Sequence, residues 1–405
     1  MILTKQEQKM LEGEHGEAVQ QSMEILVALG KIYDAEKMIQ VKSAQISGVS
    51  YKTIGDAGLA YLQDLASKHA RVKIPSFLNP AGMDRRQWKE MKIPEEFAKK
   101  QIEILDAYTS MHIMPTCTCA PYEIGIRPRK HDHIAWSESS AVSFTNSVLG
   151  ARTNREGGPS ALAAAICGIT PSYGLHLDEN RVSELVIDVE CKLNNASDFA
   201  ALGVYVGKLA KNKHPAFKGV RKSMYGSRIH DEDLLKSLGA AMAASGSVAL
   251  FYVEDTTPEY AVSKKPEKIS FTEKELNAAR KELNKCNEKP EIITLGCPHA
   301  SLEQIREVAK LLRKKKLTCE LWVCTSQQMK KRADAYGYAA IIEKAGGKLI
   351  ADTCMVVCPL ETIGYKITGA DSGKAAKYLE SLCKQKVVFN DMKTLIENNS
   401  ESIKK

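Results

Sequence analysis

The stretch that decides the fold begins at EIITLGC (Glu291–Cys297), a short apolar run that ends in glycine and cysteine. A helical pattern, SLEQIREVAKLLRKK (301–315), follows it, and the same alternation continues through CELWVCTS, QQMKKRADAYGYAAIIEKAG, KLIADTC and GKAAKYLESLC to KVVFN (386–390). Strands that alternate with helices form parallel sheets, because each parallel pair needs a crossover connection. We therefore predict an α/β domain over residues 291–405, with helices flanking a parallel sheet.

The first 290 residues show a less regular pattern. Apolar runs such as ELVIDVE (184–190) occur among helical segments, and residues 115–180 are rich in small and polar side chains. That stretch also contains SALAAAICG (160–168), which is typical of a buried, closely packed helix, so it is better suited to line a site than to link domains. Since 405 residues exceed what one core usually serves, we predict a catalytic region with site-lining loops over residues 1–290, ahead of the α/β domain.

The composition is that of an ordinary globular protein, with 44% apolar and 26% charged residues. The net charge of +8 is spread over helical stretches without aromatic residues between the charges, which favours solvated helix faces over a nucleic-acid surface. Neither a signal-peptide pattern nor a long uncharged apolar run is seen, so we expect a cytoplasmic protein. In a reducing compartment the 11 cysteines are expected to pack in the core, bind metal or react, rather than form disulfides.

Two cysteines stand where a parallel sheet places its chemistry. Cys297 in TLGCPHAS and Cys354 in IADTCMVVCPL each follow a predicted strand, and ligands bind beyond the carboxyl ends of such strands. Neither belongs to a CxxC knuckle, and the ferredoxin spacing is absent, which disfavours a paired-knuckle zinc site. PTCTCAPY (115–122) offers a third loop cysteine, either Cys117 or Cys119. Three thiolates around a cubane cluster leave one iron open to act as a Lewis acid, although any single cysteine is more often a buried apolar residue.

Several long motifs resemble the aconitase X family. They are CTCAPY (117–122), AWSESSAVSFTNSVLGARTNREGGPSALAAAICGITPSYGLH (135–176), GCPH (296–299) and DTCMVVCPL (352–360), and the similarity runs over nearly the whole chain. The resemblance implies an aconitase-like, multi-layer α/β/α fold and a hydro-lyase activity. It also implies a [4Fe-4S] cluster with three cysteine ligands, which by position are Cys119, Cys297 and Cys354. Cys117 and Cys358 remain alternatives.

A closer resemblance is to archaeal members of the family that consist of two subunits. The chain length and the absence of a fused C-terminal swivel domain are similar to their large subunits. This implies removal of water from (R)-5-phosphomevalonate to give trans-anhydromevalonate 5-phosphate, in a modified mevalonate pathway to isoprenoids. It also implies a small swivel-domain subunit that supplies the catalytic serine, so that the large subunit alone would be inactive.

Such a reaction needs a carboxylate clamp, a phosphate seat and a base. GARTNREGGPS (150–160) offers a clamp in Arg152 and Arg155, because arginine forks suit carboxylates; the alternative, surface salt bridges, is disfavoured by the small residues on both sides. The predicted catalytic residues are Glu138, Ser139, Arg152, Asn154, Arg155 and Glu156. Serine and glycine at two helix starts suit an anion, although they are often only caps. Together with two residues of the LNPAG turn (78–82), the predicted substrate-binding residues are Gly48, Val49, Ser50, Asn79, Pro80, Ser372, Gly373 and Lys374.

Three other functions are consistent with the sequence. The nearest is a cis-3-hydroxy-L-proline dehydratase of the same family, whose substrate carries no phosphate. A non-catalytic iron-sulfur protein for electron transfer or sensing belongs to another class, and such carriers normally use four cysteine ligands. A structural zinc protein is the third. We expect His131, His133, His176 and His299 to be hydrogen-bonded structural residues rather than ligands.

Overall fold

The structure is a computed structural model that describes residues 1–211, 213–220 and 228–403, with the side chains of residues 228–231 left undescribed. The strands are β1 (Met38–Gln40), β2 (Ala44–Ile46), β3 (Ser76–Leu78), β4 (Ala135–Trp136), β5 (Ile169–Pro171), β6 (Ser183–Val189), β7 (Pro215–Lys218), β8 (Tyr252–Val253), β9 (Val262–Phe271), β10 (Ile292–Leu295), β11 (Lys315–Leu317), β12 (Glu320–Thr325), β13 (Lys348–Ala351), β14 (Ile367–Ala370), β15 (Lys386–Phe389) and β16 (Ser400–Ser402).

The helices are α1 (Lys5–Leu11), α2 (Glu17–Ile32), α3 (Tyr51–Ser67), α4 (Glu95–Ser110), α5 (Ser139–Phe144), α6 (Gly158–Cys167), α7 (Ala196–Ala210), α8 (Arg228–Gly246), α9 (Glu273–Leu283), α10 (Leu302–Leu312), α11 (Gln327–Ala335), α12 (Tyr338–Lys344), α13 (Gly373–Cys383) and α14 (Met392–Asn398). Short 3₁₀ and π segments lie between some of them.

The alternating pattern after residue 290 forms the predicted parallel sheet. Its strand order is β13-β12-β10-β14-β15, and every neighbouring pair is parallel. The chain moves outward from β10 in one direction and then returns to the other side at β14, so the strand order reverses between β10 and β14. Ligands bind at such a switch point, beyond the carboxyl ends of the strands. The predicted single helix QQMKKRADAYGYAAIIEKAG is wrong in one respect: it is two helices, α11 and α12, because Gly337 between them has a φ of 74°.

A second parallel sheet, with the order β3-β2-β4, lies in the first part of the chain. Its strands have only two or three residues each, so long helices supply most of its packing. One of them is α6, the predicted SALAAAICG helix, whose residues from Ser160 to Cys167 are all buried. The buried face of this region includes residues of α2, α3, α4 and α6.

A third sheet, with the order β8-β7-β6-β9, is also parallel. Its apolar residues share one core with the sheet around β10, since Ile187, Phe217, Ile292 and Trp322 belong to the same buried cluster. The prediction of α/β architecture with parallel sheets flanked by helices is confirmed. Within the described ranges, none of the helices combines the length and the apolar composition that crossing a bilayer requires.

Candidate active site

The carboxyl edges of two parallel sheets line one cavity of about 330 Å³. The loops after β2, β3 and β4 contribute residues 47–50, 79–80 and 137–139. The loops after β10 and β13 contribute residues 296–297, 354 and 356–357, and α13, which follows β14, adds Lys374 and Tyr378. The cavity volume is within the range of small-molecule sites, ~300–1,000 Å³.

Direct contacts hold the two edges together. Ala81, which follows β3, pairs with Thr353 after β13: its N–H donates to the carbonyl of Asp352 at 2.8 Å, and its own carbonyl accepts from Cys354 at 3.1 Å. The hydroxyl of Ser50 donates to the carbonyl of Val357 at 2.8 Å. These bonds join residues about 300 positions apart in the chain, so the cavity exists only when both sheets have folded.

Cys119, Cys297 and Cys354 all line this cavity. Burial raises the pKa of Cys119 to about 12, and it also raises the pKa values of Cys297 and Cys354. As free thiols the three are therefore neutral, and only a strong positive charge such as a bound metal would stabilise their thiolates.

The cysteine geometry does not correspond to a single metal ion. Across the part of the chain that the structure describes, no group of three or more His, Cys, Asp or Glu side chains is arranged to hold one ion. A tetrahedral zinc site needs its ligands to converge on one point. The ligands of an iron-sulfur cluster bind separate irons, so three thiols at one cavity need not converge on a single point to serve as cluster ligands.

Cys117 and Cys358 do not line the cavity. Cys117 is fully buried in the core beneath the sheet of β2, β3 and β4, and its φ of 43° turns the chain between it and Cys119. Cys358 is fully buried in the other core. The structure thus separates the two alternative ligands from the three cysteines at the cavity.

A buried ion pair joins Glu138 and Lys374 across the two sheets. Burial alone would raise the pKa of Glu138, but Lys374 and hydrogen bonds from Asn79 (2.7 Å) and Ser140 (3.0 Å) outweigh it and hold this pKa at about 2. Burial would lower the pKa of Lys374, but Glu138 raises it. Both groups are therefore charged, and a carboxylate with so low a pKa is a weak proton acceptor.

The loop before α3 exposes unused donors to the cavity. The carbonyl groups of Gly48 and Val49 accept from Tyr108 and Gln101, at 3.1 and 2.7 Å. Their own N–H groups have no protein acceptor among the described residues. A φ of 81° at Gly48 produces this turn. Because Gly55 interrupts α3 with non-helical angles, the local N–H groups rather than a long helix dipole make this loop suitable for an anion.

Comparison with known proteins identifies the family. The model for the aconitase X first domain matches residues 1–179, the model for the second domain matches residues 183–281, and the model for the third domain matches residues 290–401. The chain is 54% identical over 399 residues to the phosphomevalonate dehydratase large subunit of Methanothermobacter thermautotrophicus, covering 98% of both chains. This chain belongs to the aconitase X family.

Other members of the family include two kinds of dehydratase. The phosphomevalonate dehydratase large subunit of Methanocaldococcus jannaschii is 52% identical, with 98% of this chain and 100% of that protein covered. The cis-3-hydroxy-L-proline dehydratase of Pseudomonas aeruginosa is 33% identical, with 96% of this chain and 68% of that protein covered. The predicted membership of a dehydratase family is therefore confirmed.

The crystal structure of aconitase X from Thermococcus kodakaraensis, in its holo-form, has the same fold. It superposes with a TM-score of 0.91 at 47% sequence identity, and the match covers 98% of this chain and 100% of that one. The match to the second aconitase X domain ends at residue 281, and the match to the third begins at residue 290.

The residues predicted as a carboxylate clamp lie outside the aconitase X cavity. Arg152 is buried, donates to Glu259 at 2.8 Å and pairs with Asp178 at 2.9 Å. Arg155 is exposed and donates to the carbonyl of Ser247 at 3.1 Å.

The two residues beside these arginines support neighbouring loops. Asn154 accepts from the N–H of Leu175 at 2.8 Å and donates to the carbonyl of Tyr173 at 3.0 Å. Glu156 accepts from Ser160 at 2.6 Å and from Thr170 at 3.2 Å. The structure brings none of the four to the cysteines.

The three residues predicted as a phosphate site at the start of α13 have different environments. Lys374 lines the cavity, whereas Ser372 caps the helix by accepting from the N–H of Ala375 at 3.2 Å. Gly373 is packed against Val204 and the carbonyl of Ala200 on α7. The sequence analysis missed Tyr378, which also lines the cavity. Its position four residues after Lys374 puts both on one helix face, a signal that was available in the sequence.

Proposed function

We propose that this chain is the large subunit of a phosphomevalonate dehydratase, which removes water from (R)-5-phosphomevalonate to give trans-anhydromevalonate 5-phosphate. The observation that carries the proposal is the identity of 47–54% to four proteins of that name, over nearly their full lengths. The identity to the two hydroxyproline dehydratases is lower, at 33% and 29%. We assign the activity to the modified mevalonate pathway on the same basis.

We propose Cys119, Cys297 and Cys354 as the ligands of a [4Fe-4S] cluster. Their shared position at one cavity and the N–H of His299 that donates to the sulfur of Cys119 at 3.2 Å support this, because N–H bonds to sulfur are typical of cluster ligands. When bound, such a cluster with three thiolate ligands leaves one iron free to polarise a hydroxyl group as a Lewis acid.

Two groups suit the two anionic ends of the substrate. The N–H groups of Gly48 and Val49, beside the cap residue Ser50, would seat the phosphate. Lys374 lies close enough to the cysteines to affect the pKa values of Cys119 and Cys354, so it would bind the carboxylate beside the reacting carbon. Glu138, which itself accepts a hydrogen bond from Asn79, holds this ammonium in place. In this proposal Lys374 takes the role that the sequence analysis gave to Arg152.

The base would come from a second protein. Among the described residues that line the cavity, Glu138 is the only carboxylate, and its ion pair with Lys374 makes it a weak base. Ser139 lines the cavity at the start of α5 and would orient substrate in this proposal. We therefore propose a small swivel-domain subunit that covers the cavity and supplies a serine base. All eleven cysteines are free thiols, which suits a cytoplasmic complex.

The test is anaerobic co-expression with the small subunit, followed by proton NMR of the complex with (R)-5-phosphomevalonate or cis-3-hydroxy-L-proline. We expect water loss from the phosphorylated substrate only. Lys374→Met should lower kcat/KM by about 100-fold, since a charge-assisted bond contributes ~1.5–3 kcal/mol. Lys377→Met, at an exposed position of the same helix, is the matched control. Turnover of hydroxyproline without turnover of phosphomevalonate would refute the assignment.

A further inference from the structure

His299 contacts all three loops that carry the cavity cysteines. It stands two residues after Cys297 and is 2% exposed. Its ring Nε2 lies 2.8 Å from the carbonyl oxygen of Thr353, the residue before Cys354. Its ring Nδ1 lies 3.1 Å from the hydroxyl of Thr118, the residue before Cys119. One side chain thus links segments that are 54 and 181 positions away in the chain.

The partners of the ring fix its tautomer. A carbonyl oxygen can only accept, so Nε2 carries the proton and donates to Thr353. Nδ1 therefore accepts from the hydroxyl of Thr118, and that hydroxyl oxygen accepts in turn from the N–H of Ala120 at 3.1 Å. A neutral ring satisfies every one of these bonds. No other tautomer serves both loops.

The backbone of His299 is held just as firmly. Its N–H donates to the sulfur of Cys119 at 3.2 Å, and its carbonyl accepts from Lys236 at 3.3 Å. Lys236 is itself 2% exposed and is paired with Asp233 at 2.6 Å and Glu123 at 3.2 Å. A buried, fully paired ammonium beneath the loop prevents the backbone from moving away from Cys119.

We propose that His299 is a positioning residue that sets the spacing of Cys119, Cys297 and Cys354 and directs an N–H bond to the sulfur of Cys119. The proposal rests on the proposed function, since it concerns the ligands of the cluster assigned there. Residues that orient metal ligands through hydrogen bonds typically change metal affinity by ~10–100-fold when they are replaced. N–H bonds to ligand sulfur also tune the reduction potential of a cluster.

Three variants separate the two ring bonds. The amide of His299→Asn reaches the position of Nδ1 and keeps the bond to Thr118, whereas His299→Gln reaches the position of Nε2 and keeps the bond to Thr353. His299→Phe loses both bonds at nearly the same volume. The matched control is His176→Phe: His176 is also buried and also hydrogen-bonded through its ring, to His133 at 3.0 Å, but it contacts none of the cysteine loops. Thr118→Val removes the bond to Nδ1, together with the bond that Thr118 accepts from Ala120, without altering His299 itself, should His299→Phe fail to fold.

The readouts are iron and sulfide per chain after anaerobic reconstitution, the rate of iron loss to a chelator and the midpoint potential followed by EPR. We expect His299→Phe to lose iron ~10–100-fold faster than the parent chain, the Asn, Gln and Thr118→Val variants to lie between them, and His176→Phe to match the parent. Potentials should shift in the His299 series alone. A parent chain that binds a cluster, with His299 variants that retain its loss rate and potential, would overturn this proposal only. A parent chain that binds no cluster would overturn the proposed cofactor itself.

Discussion

The two cysteines of PTCTCAPY show how a single backbone angle separates two like residues. In an extended segment, residues two apart face the same side, so Cys117 and Cys119 would both reach the cavity or both reach the core. The φ of 43° at Cys117 breaks this alternation. Cys117 is buried in the core of the first region, whereas Cys119 lines the cavity with Cys297 and Cys354.

Replacement of each cysteine by serine should have opposite consequences. Cys119→Ser should abolish the brown colour and the iron content of the anaerobically purified chain, because a hydroxyl is a poor iron ligand. Cys117→Ser should keep both and lose only stability, by ~1–3 kcal/mol, because it places an extra polar group in an apolar site. Iron analysis and thermal unfolding measure the two effects. Loss of iron in Cys117→Ser with retention in Cys119→Ser would reverse the ligand assignment.

His176 should make the fold sensitive to mild acid. Burial, with His133, Arg181 and Arg152 nearby, lowers the pKa of His176 from 6.5 to about 3. Between these values the unfolded chain binds a proton that the folded chain excludes, so stability falls as pH decreases from 6.5 toward 3. The loss should reach ~2 kcal/mol at pH 5. Urea unfolding as a function of pH should show a flatter acid limb for His176→Asn than for the parent chain; identical acid limbs would contradict this prediction.

The position of the three cavity cysteines could be predicted from the sequence better than the environment of Arg152. Each cysteine of the cavity follows a recognisable strand or a distinctive motif, and parallel strands bring their carboxyl ends to one edge. Arg152 has no such signal, because its partner Glu259 lies 107 positions away in an irregular segment. A sequence pattern records that an arginine stands among small residues, but the ion pair that orients it forms only in the folded chain.

At the scale of elements, the start of α13 brings a cap residue and a helix residue to the same cysteine in different ways. Ser372 has extended backbone angles and caps the helix, and its side chain also hydrogen-bonds to Cys297. Lys374 lies inside the helix, lines the cavity and pairs with Glu138. The sequence predicted the helix start correctly, but the direction of each side chain depends on how α13 packs against α7 and α8.

The geometry of the turn before α3 leads to a testable prediction about substrate binding. A side chain at Gly48 would adopt an unfavourable φ of 81° and approach Ile54 to 3.2 Å, so Gly48→Ala should disturb the free N–H groups of the loop. We expect the KM for phosphomevalonate to rise about tenfold, since N–H contacts to an anion are worth up to ~2 kcal/mol. Gly346→Ala is the control, because Gly346 has a φ of 95° and no atom within 4 Å of the added carbon. Steady-state kinetics of the complex would measure the KM of both variants. An equal change in KM for Gly48→Ala and Gly346→Ala would show that the loop does not bind substrate.

At the scale of the whole molecule, the cavity depends on contacts between distant parts of the chain. The sheet around β10 was predictable, since its alternation of strands and helices is regular over about a hundred residues. The pairing of β2 with β3 and β4 was not, because strands of two or three residues are too short to indicate which strands pair. The apposition of the two edges depends on bonds such as Ala81 to Asp352, which no local pattern encodes.

The chain alone should be inactive even with its metal bound. The carboxylate at the cavity is held ionised with a pKa of about 2, and the proposed serine base belongs to the small subunit. We expect the reconstituted chain to show no water loss above background, and activity to appear and saturate as purified small subunit is added. Calorimetry should give the stoichiometry of the same association. Full turnover by the chain alone would place the base within it.

The most direct test of the whole account is the iron, acid-labile sulfide and zinc content of the anaerobically purified chain. If Cys119, Cys297 and Cys354 hold a [4Fe-4S] cluster, iron and sulfide should be present in near-equal amounts approaching about four of each per chain, and mild oxidation should produce the EPR signal of a three-iron cluster as the iron without a cysteine ligand is lost. Zinc in place of iron, or iron without sulfide, would contradict the account.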